Sequence, residues 1–202
     1  AKMEAKVLFK DPPIAQLLFA DPRLAWLWLP LRVWLGWQWL DASMHKFSDP
    51  KWMETGVALK AFWERAVVIP EGAKPVAAYD WYRDFLAMLL QGGHHVWFAK
   101  VVVFGEMAIG LGLILGAFTG IAAFFGIFMN WHFVMAGTAS TNAMLMVVGM
   151  FIVMGWKTAG WIGLDRWLLP MVGTPWQAGK LAPHANDTQH PAGPPQQQPL
   201  TS

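Results

Sequence analysis

Four stretches of the chain are long and mostly apolar, with only a few polar residues inside them. Leu24–Met44, Trp97–Phe118, Thr119–Thr138 and Asn142–Gly160 are each close to the requirement for a span, about 20 apolar residues at about 1.5 Å each. Asp21-Pro22 gives a helix start for the first, and Ser140, Thr141 and Asn142 offer side-chain oxygens suited to capping the fourth. The predicted fold class is all-α, a four-helix transmembrane bundle whose even count leaves both termini on one face.

Between the first two stretches the pattern changes from apolar to amphipathic. Lys51–Ala66 and Ala78–Gln91 read as helices, separated by the breaker run Ile69-Pro70-Glu71-Gly72-Ala73-Lys74-Pro75. In the second, Asp80, Asp84, Ala87 and Gln91 form a polar stripe opposite Tyr82, Phe85, Leu86 and Leu89. Such a helix lies on a membrane surface or caps a bundle, and a substrate lid is the alternative. The organisation expected is an N-terminal tail and interfacial segment over 1–23, a membrane domain over 24–170 carrying the 45–96 loop, and a Pro/Gln-rich tail over 171–202.

Composition narrows the class. Only 14% of the 202 residues are charged and 55% are hydrophobic, where soluble domains carry about a quarter charged. A net charge of +2 with no basic stripe disfavours nucleic-acid binding. The absence of Cys removes disulfides, thiol nucleophiles and thiolate-held iron–sulfur clusters. No haem is expected, because of the six His only His132 lies well inside a span. The 14 Trp include Trp26, Trp28, Trp97, Trp156, Trp161 and Trp167 near span ends, where an indole suits the headgroup region. The charged start AKMEAKVLFKDPP carries no signal-peptide core. Lys and Arg are nearly balanced between the two sides, and the termini are assigned to the cytoplasmic side of a bacterial or archaeal cell membrane.

The informative residues are polar groups inside the spans, each of which costs about 2.5–3.5 kcal/mol at mid-bilayer unless it meets a partner or cavity. Counting from the terminal side puts Arg32 at roughly 12 Å, Glu106 at roughly 18 Å and Asn130 at roughly 16 Å. Arg32 and Glu106 are therefore expected to pair, with Asn130 beside them. One reading is an ion pair that fixes helix register. The other is a quinone headgroup pocket, with Arg32 and Asn130 hydrogen-bonding the carbonyls, Glu106 relaying protons, and Trp34, Phe104 and Trp131 as flat walls. His45, His94, His95 and His132, with Asp41 and Asp49, gather toward the loop side without a compact ligand motif, so no metal is assigned. Nucleotide-binding and zincin signatures are missing.

These residues carry a resemblance. Arg32-Val33-Trp34-Leu35-Gly36 through His45-Lys46-Phe47, Gly105-Glu106 with GLGLILGAFTGIAA, and Asn130-Trp131-His132-Phe133 through Asn142, followed by Gly160–Arg166, together resemble the DoxX/DoxD membrane proteins. That group includes the large subunit of thiosulfate:quinone oxidoreductase. The resemblance implies a four-helix membrane fold, quinone as cofactor and a partner subunit or larger complex in the bilayer. It points to Arg32, Lys46, Glu106 and Asn130, with Glu106 and Arg32 as the catalytic candidates. Trp34, Trp131 and His132 join Arg32, Lys46 and Asn130 as cofactor-binding candidates. The function implied is the membrane subunit of a quinone-linked oxidoreductase acting on a sulfur oxyanion such as thiosulfate. The alternative is a non-catalytic scaffold subunit of a respiratory or photosynthetic complex.

Overall fold

The computed structural model describes residues 11–173, and every regular element among them is a helix. Helix α1 covers Pro13–Ala20, and a 3-10 turn at Pro22–Leu24 follows. Asp21 starts that turn by accepting from the Arg23 backbone N–H at 2.9 Å, as its position before Pro22 predicts. Then come α2 (Ala25–Phe47), α3 (Pro50–Met53), α4 (Val57–Val67), α5 (Asp80–Gln91), α6 (His95–Leu115), α7 (Thr119–Met135), α8 (Ser140–Met154), α9 (Trp156–Ala159) and α10 (Asp165–Val172). Two compact units divide the chain, 1–168 and 169–202, and the second is described only through 173.

Among the described residues, α6 is the helix long and apolar enough to cross a membrane. Helices α7 and α8 are apolar but shorter, 17 and 15 residues. Helix α2 is 23 residues long, but Arg32, Gln38, Asp41 and Lys46 dilute its apolar character.

Glycines bring α2 and α6 together. A Cβ at Gly36 would lie 2.9 Å from the Gly110 carbonyl oxygen, and one at Gly110 would lie 2.8 Å from the Leu40 nitrogen. The two backbones therefore touch, as small residues permit. This crossing sets an antiparallel register that leaves Arg32 beside Gly116 and Lys46 beside Glu106. Helix α8 packs on α7 through a side chain instead, with Gly149 under Ile127.

The α6–α7 turn is sharp. Gly116 and Phe118 both sit in the left-handed region, with φ of 65° and 48°, a conformation that is costly for a residue with a bulky Cβ. Asp165 stabilises it from a distant part of the chain. Its buried carboxylate accepts from the Phe118 N–H at 2.5 Å and the Thr119 N–H at 2.8 Å, capping α7.

Two apolar clusters result. Trp28, Leu35, Trp39, Ile109, Leu113 and Ile152 form the centre of the bundle. Leu59, Trp63, Tyr82, Leu86 and Leu89 pack with Ala99 and Ala136, so α4 and α5 cap one end. The apolar side predicted for Ala78–Gln91 is the side α5 buries.

Several expectations need correction. The Lys51–Ala66 helix is broken, because Gly56 takes φ 66° where any Cβ would strike the His95 carbonyl. Ser140, Thr141 and Asn142 do not cap α8; Asn142 instead donates back to the Thr138 carbonyl oxygen at 3.0 Å. The segment expected to run to Gly160 breaks at Gly155, where the Trp28 ring lies 2.8 Å from a would-be Cβ. Trp28 is not an interfacial anchor: it is buried and donates its indole N–H to the Leu18 carbonyl oxygen at 2.9 Å. Of the proposed tail, 174–202 lies outside the described residues, as do 1–10 of the N-terminal segment.

Candidate functional site

Lys46 and Glu106 form a buried ion pair. The ammonium donates to both carboxylate oxygens, at 2.5 and 2.6 Å. The Glu106 side chain is 1% exposed and that of Lys46 is 21% exposed. Helix geometry explains the meeting. Every Cα–Cβ bond tilts toward its helix N-terminus, so in antiparallel helices side chains on facing surfaces lean in opposite senses. Lys46, near the C-terminal end of α2, leans into the bundle, and Glu106 leans toward the α2 C-terminus. The Lys46 ammonium also lies 5.2 Å from the Trp52 ring centre and 5.7 Å from that of Phe133, which favours a desolvated cation.

The pair borders a cavity of about 460 Å³ between α2, α4, α6, α7 and the start of α8. Asn130, 1% exposed, lines it from α7. Both amide atoms of Asn130 lack a hydrogen-bond partner among the described residues, and so do Thr138 Oγ1 and Trp39 Nε1, the latter against Gly126, in two further residues that line the cavity. Buried polar groups are nearly always satisfied, because each one left unpaired costs about 1–3 kcal/mol. Four of them around one ion pair mark a place suited to a polar ligand group.

Arg32 is not part of this site, and the expected Arg32–Glu106 pair does not form. The same tilt that joins Lys46 to Glu106 drives Arg32 and Glu106 apart, because Arg32 leans toward the start of α2. Its guanidinium donates to the Ala159 and Ile162 carbonyl oxygens at 3.1 and 2.8 Å. It fills a slot that a Cβ at Gly116 or Gly163 would obstruct. Arg32 joins the α6–α7 turn to the loop before α10.

The aromatic walls also differ from expectation. Trp34 and Phe104 are exposed and do not line the cavity. Trp131 faces outward, stacked on Trp81 at 6.4 Å and on Phe128 at 6.5 Å. The rings on the cavity are Trp39, Trp52, Phe62 and Phe133. The resemblance pointed to Lys46 and its third stretch contains Thr138, but nothing in the sequence singled out Trp52 or Phe62, or made Lys46 the partner of Glu106.

His132 also lies elsewhere, hydrogen-bonded to Tyr82. The Tyr82 hydroxyl donates to the His132 carbonyl oxygen at 3.0 Å and lies 3.1 Å from its Nδ1. Burial raises the Tyr82 hydroxyl to a pKa of about 12. His45, His94, His95 and His132 lie at the loop end of the bundle as expected, but His45 pairs with Asp41 at 3.6 Å and His94 accepts from the Trp97 indole. No three His, Asp or Glu groups among the described residues are placed to hold a metal ion. Compared with protein-family models, curated proteins and solved structures, the chain finds no match.

Proposed function

We propose that the chain is a four-span membrane protein of the DoxX/DoxD type and the membrane subunit of a quinone-linked oxidoreductase. The spans are α2, α6, α7 and α8, the last continued by α9. Large apolar side chains exposed on their outer faces, among them Phe124, Phe125, Met144 and Met154, support an environment of lipid. The quinone headgroup sits in the Lys46–Glu106–Asn130 cavity.

The observation that carries this reading is the group of unpaired buried atoms around the ion pair. A quinone offers two carbonyl acceptors when oxidised and two hydroxyl donors when reduced. Asn130 Nδ2 and Trp39 Nε1 can donate to the first form, and Asn130 Oδ1 can accept from the second. Reduction consumes two protons with the two electrons: Lys46 donates one, and Glu106 takes up the second from outside and relays it through the Lys46 ammonium. With no Cys, the chain forms no covalent sulfur intermediate, so oxidation of a sulfur oxyanion such as thiosulfate falls to a partner subunit or to direct electron transfer.

The test is extraction of quinone from gently purified protein with its partners, followed by titration of Asn130→Leu. Near-stoichiometric quinone, and binding weakened at least about tenfold in the variant, is the expected result. Protein that carries no quinone and binds none removes this reading in favour of a scaffold subunit.

A further inference from the structure

A second cavity, of about 720 Å³, runs between α6 and α7 to the cap formed by α4 and α5. Its walls meet near the turn, where a Cβ at Gly112 would lie 3.1 Å from the Ala122 Cβ. Farther along they separate, and at Gly105 the nearest group across the gap is the flexible Met129 side chain, 3.4 Å from a would-be Cβ. The cleft opens along exposed residues, Val101 and Ala108 on one wall and Ile121 and Phe125 on the other.

Its chemistry is uniform. No Asp, Glu, Lys or Arg lines it. Besides the Trp63 indole, the side chains on it capable of strong hydrogen bonds are Tyr82 and His132, which are engaged with each other. The cleft therefore offers nothing to a phosphate or carboxylate and suits an uncharged hydrocarbon chain. It also adjoins the polar cavity. Phe62 and Phe133 line both, packed edge to face at 6.3 Å and 77°. Those two rings are the shared wall between the apolar cleft, open along α6 and α7, and the polar cavity, which opens beside Ala61 and Arg65 of α4.

We infer that the α6–α7 cleft holds the hydrocarbon tail of an uncharged lipid-soluble ligand whose head reaches the Lys46–Glu106–Asn130 cavity past Phe62 and Phe133. This rests on the headgroup reading above and adds the route and the tail site. The ligand arrives sideways from the lipid, its tail stays between α6 and α7, and the two phenylalanine rings turn to admit the head. Because lipid is as apolar as the cleft, the cleft selects by shape rather than by hydrophobicity.

The test uses protein purified with its partners, placed in a bilayer of neutral phosphatidylcholine. Ala108→Trp fills the cleft from an open position, and Ile121→Trp does so from the opposite wall should the first variant fold poorly. Binding of a benzoquinone with a long isoprenoid tail is compared with that of the same ring without a tail. The expected result is a loss of about tenfold or more for the tailed quinone, with the tail-less ring bound as before. Equal binding of the tailed quinone by the variant and the native protein overturns the inference. If neither quinone binds native protein, the headgroup reading fails separately, and a second measurement decides the cleft. A long-chain alcohol carrying a mid-chain diazirine should label Ala108, Ile121 and Phe125 in a manner saturated by unlabelled alcohol. Labelling that does not saturate overturns the tail site.

Discussion

Removing Lys46 while leaving Glu106 is the most severe test of the buried pair. Lys46→Met keeps the length of the side chain and its packing near Trp52 and Phe133 but leaves a carboxylate that is 1% exposed without its cation. Breaking a buried pair from one side costs about 3–5 kcal/mol, because the remaining charge is uncompensated. At about 2–4 °C per kcal/mol for a chain of this size, the melting temperature falls by roughly 6–20 °C. Glu106→Leu should cost less, since Lys46 is 21% exposed and can turn its ammonium outward. The double variant Lys46→Met with Glu106→Leu should be markedly milder than the sum of the two single changes. Arg32 provides the control: about ten residues of rise, roughly 15 Å, separate its level from that of Glu106, so Arg32→Met and Glu106→Leu should add to within about 0.5 kcal/mol. Thermal unfolding in mild detergent, followed by tryptophan fluorescence, measures all five variants. Additive losses for Lys46 and Glu106, or strong coupling between Arg32 and Glu106, would refute the geometry.

Other outcomes follow from individual contacts. Gly163→Ala places a Cβ 2.7 Å from the Arg32 guanidinium and 2.8 Å from the Gly116 Cα, so unfolding measurements should show a loss of about 1–3 kcal/mol from overpacking. Asp165→Ala removes both bonds that cap α7 and should cost about 0.5–2 kcal/mol by the same assay. Asn130→Leu should leave stability unchanged or raise it, because it exchanges an unpaired buried amide for an apolar group of similar size; a large loss of stability would show that the amide is satisfied in the native protein. Tyr82 holds its proton more tightly folded than unfolded, with a native pKa of about 12 against an ordinary value of 10.0. Its contribution to stability is therefore full below about pH 10 and disappears as pH rises through about 12. Phenolate absorbance should show that late titration, and Tyr82→Phe should abolish it.

The helices were legible because their signal is long-range and redundant: the runs of apolar residues that became α2, α6, α7 and α8 need no single residue to be read correctly. Residue-level pairing was not legible for an identifiable reason. Depth counting took the two helices to start level, whereas the Gly36–Gly110 crossing places Arg32 beside Gly116 rather than Glu106, and the two side chains then lean farther apart. Residue pattern alone left Lys46 in the 45–96 loop, and only the resemblance made it a site candidate; its Cα lies near the end of α2, yet its long side chain reaches back to Glu106. The break at Gly56 was hidden because its cause is the approach of His95, which no local pattern records. Trp28 was misplaced for a related reason. An indole near a helix end suits an interface, and only the fold of α1 reveals the Leu18 carbonyl that accepts its N–H.

On the proposed reading, the cavity at Lys46, Glu106 and Asn130 binds a quinone through its carbonyls. Infrared difference spectra of protein loaded with quinone carrying isotopically labelled carbonyls test it most directly. At least one carbonyl stretch should be lowered relative to the same quinone in detergent alone, as hydrogen bonding from Asn130 Nδ2 or Trp39 Nε1 requires, and Asn130→Leu should partly reverse the shift. Carbonyl bands at the detergent position in native protein, or a shift untouched by Asn130→Leu, would contradict it.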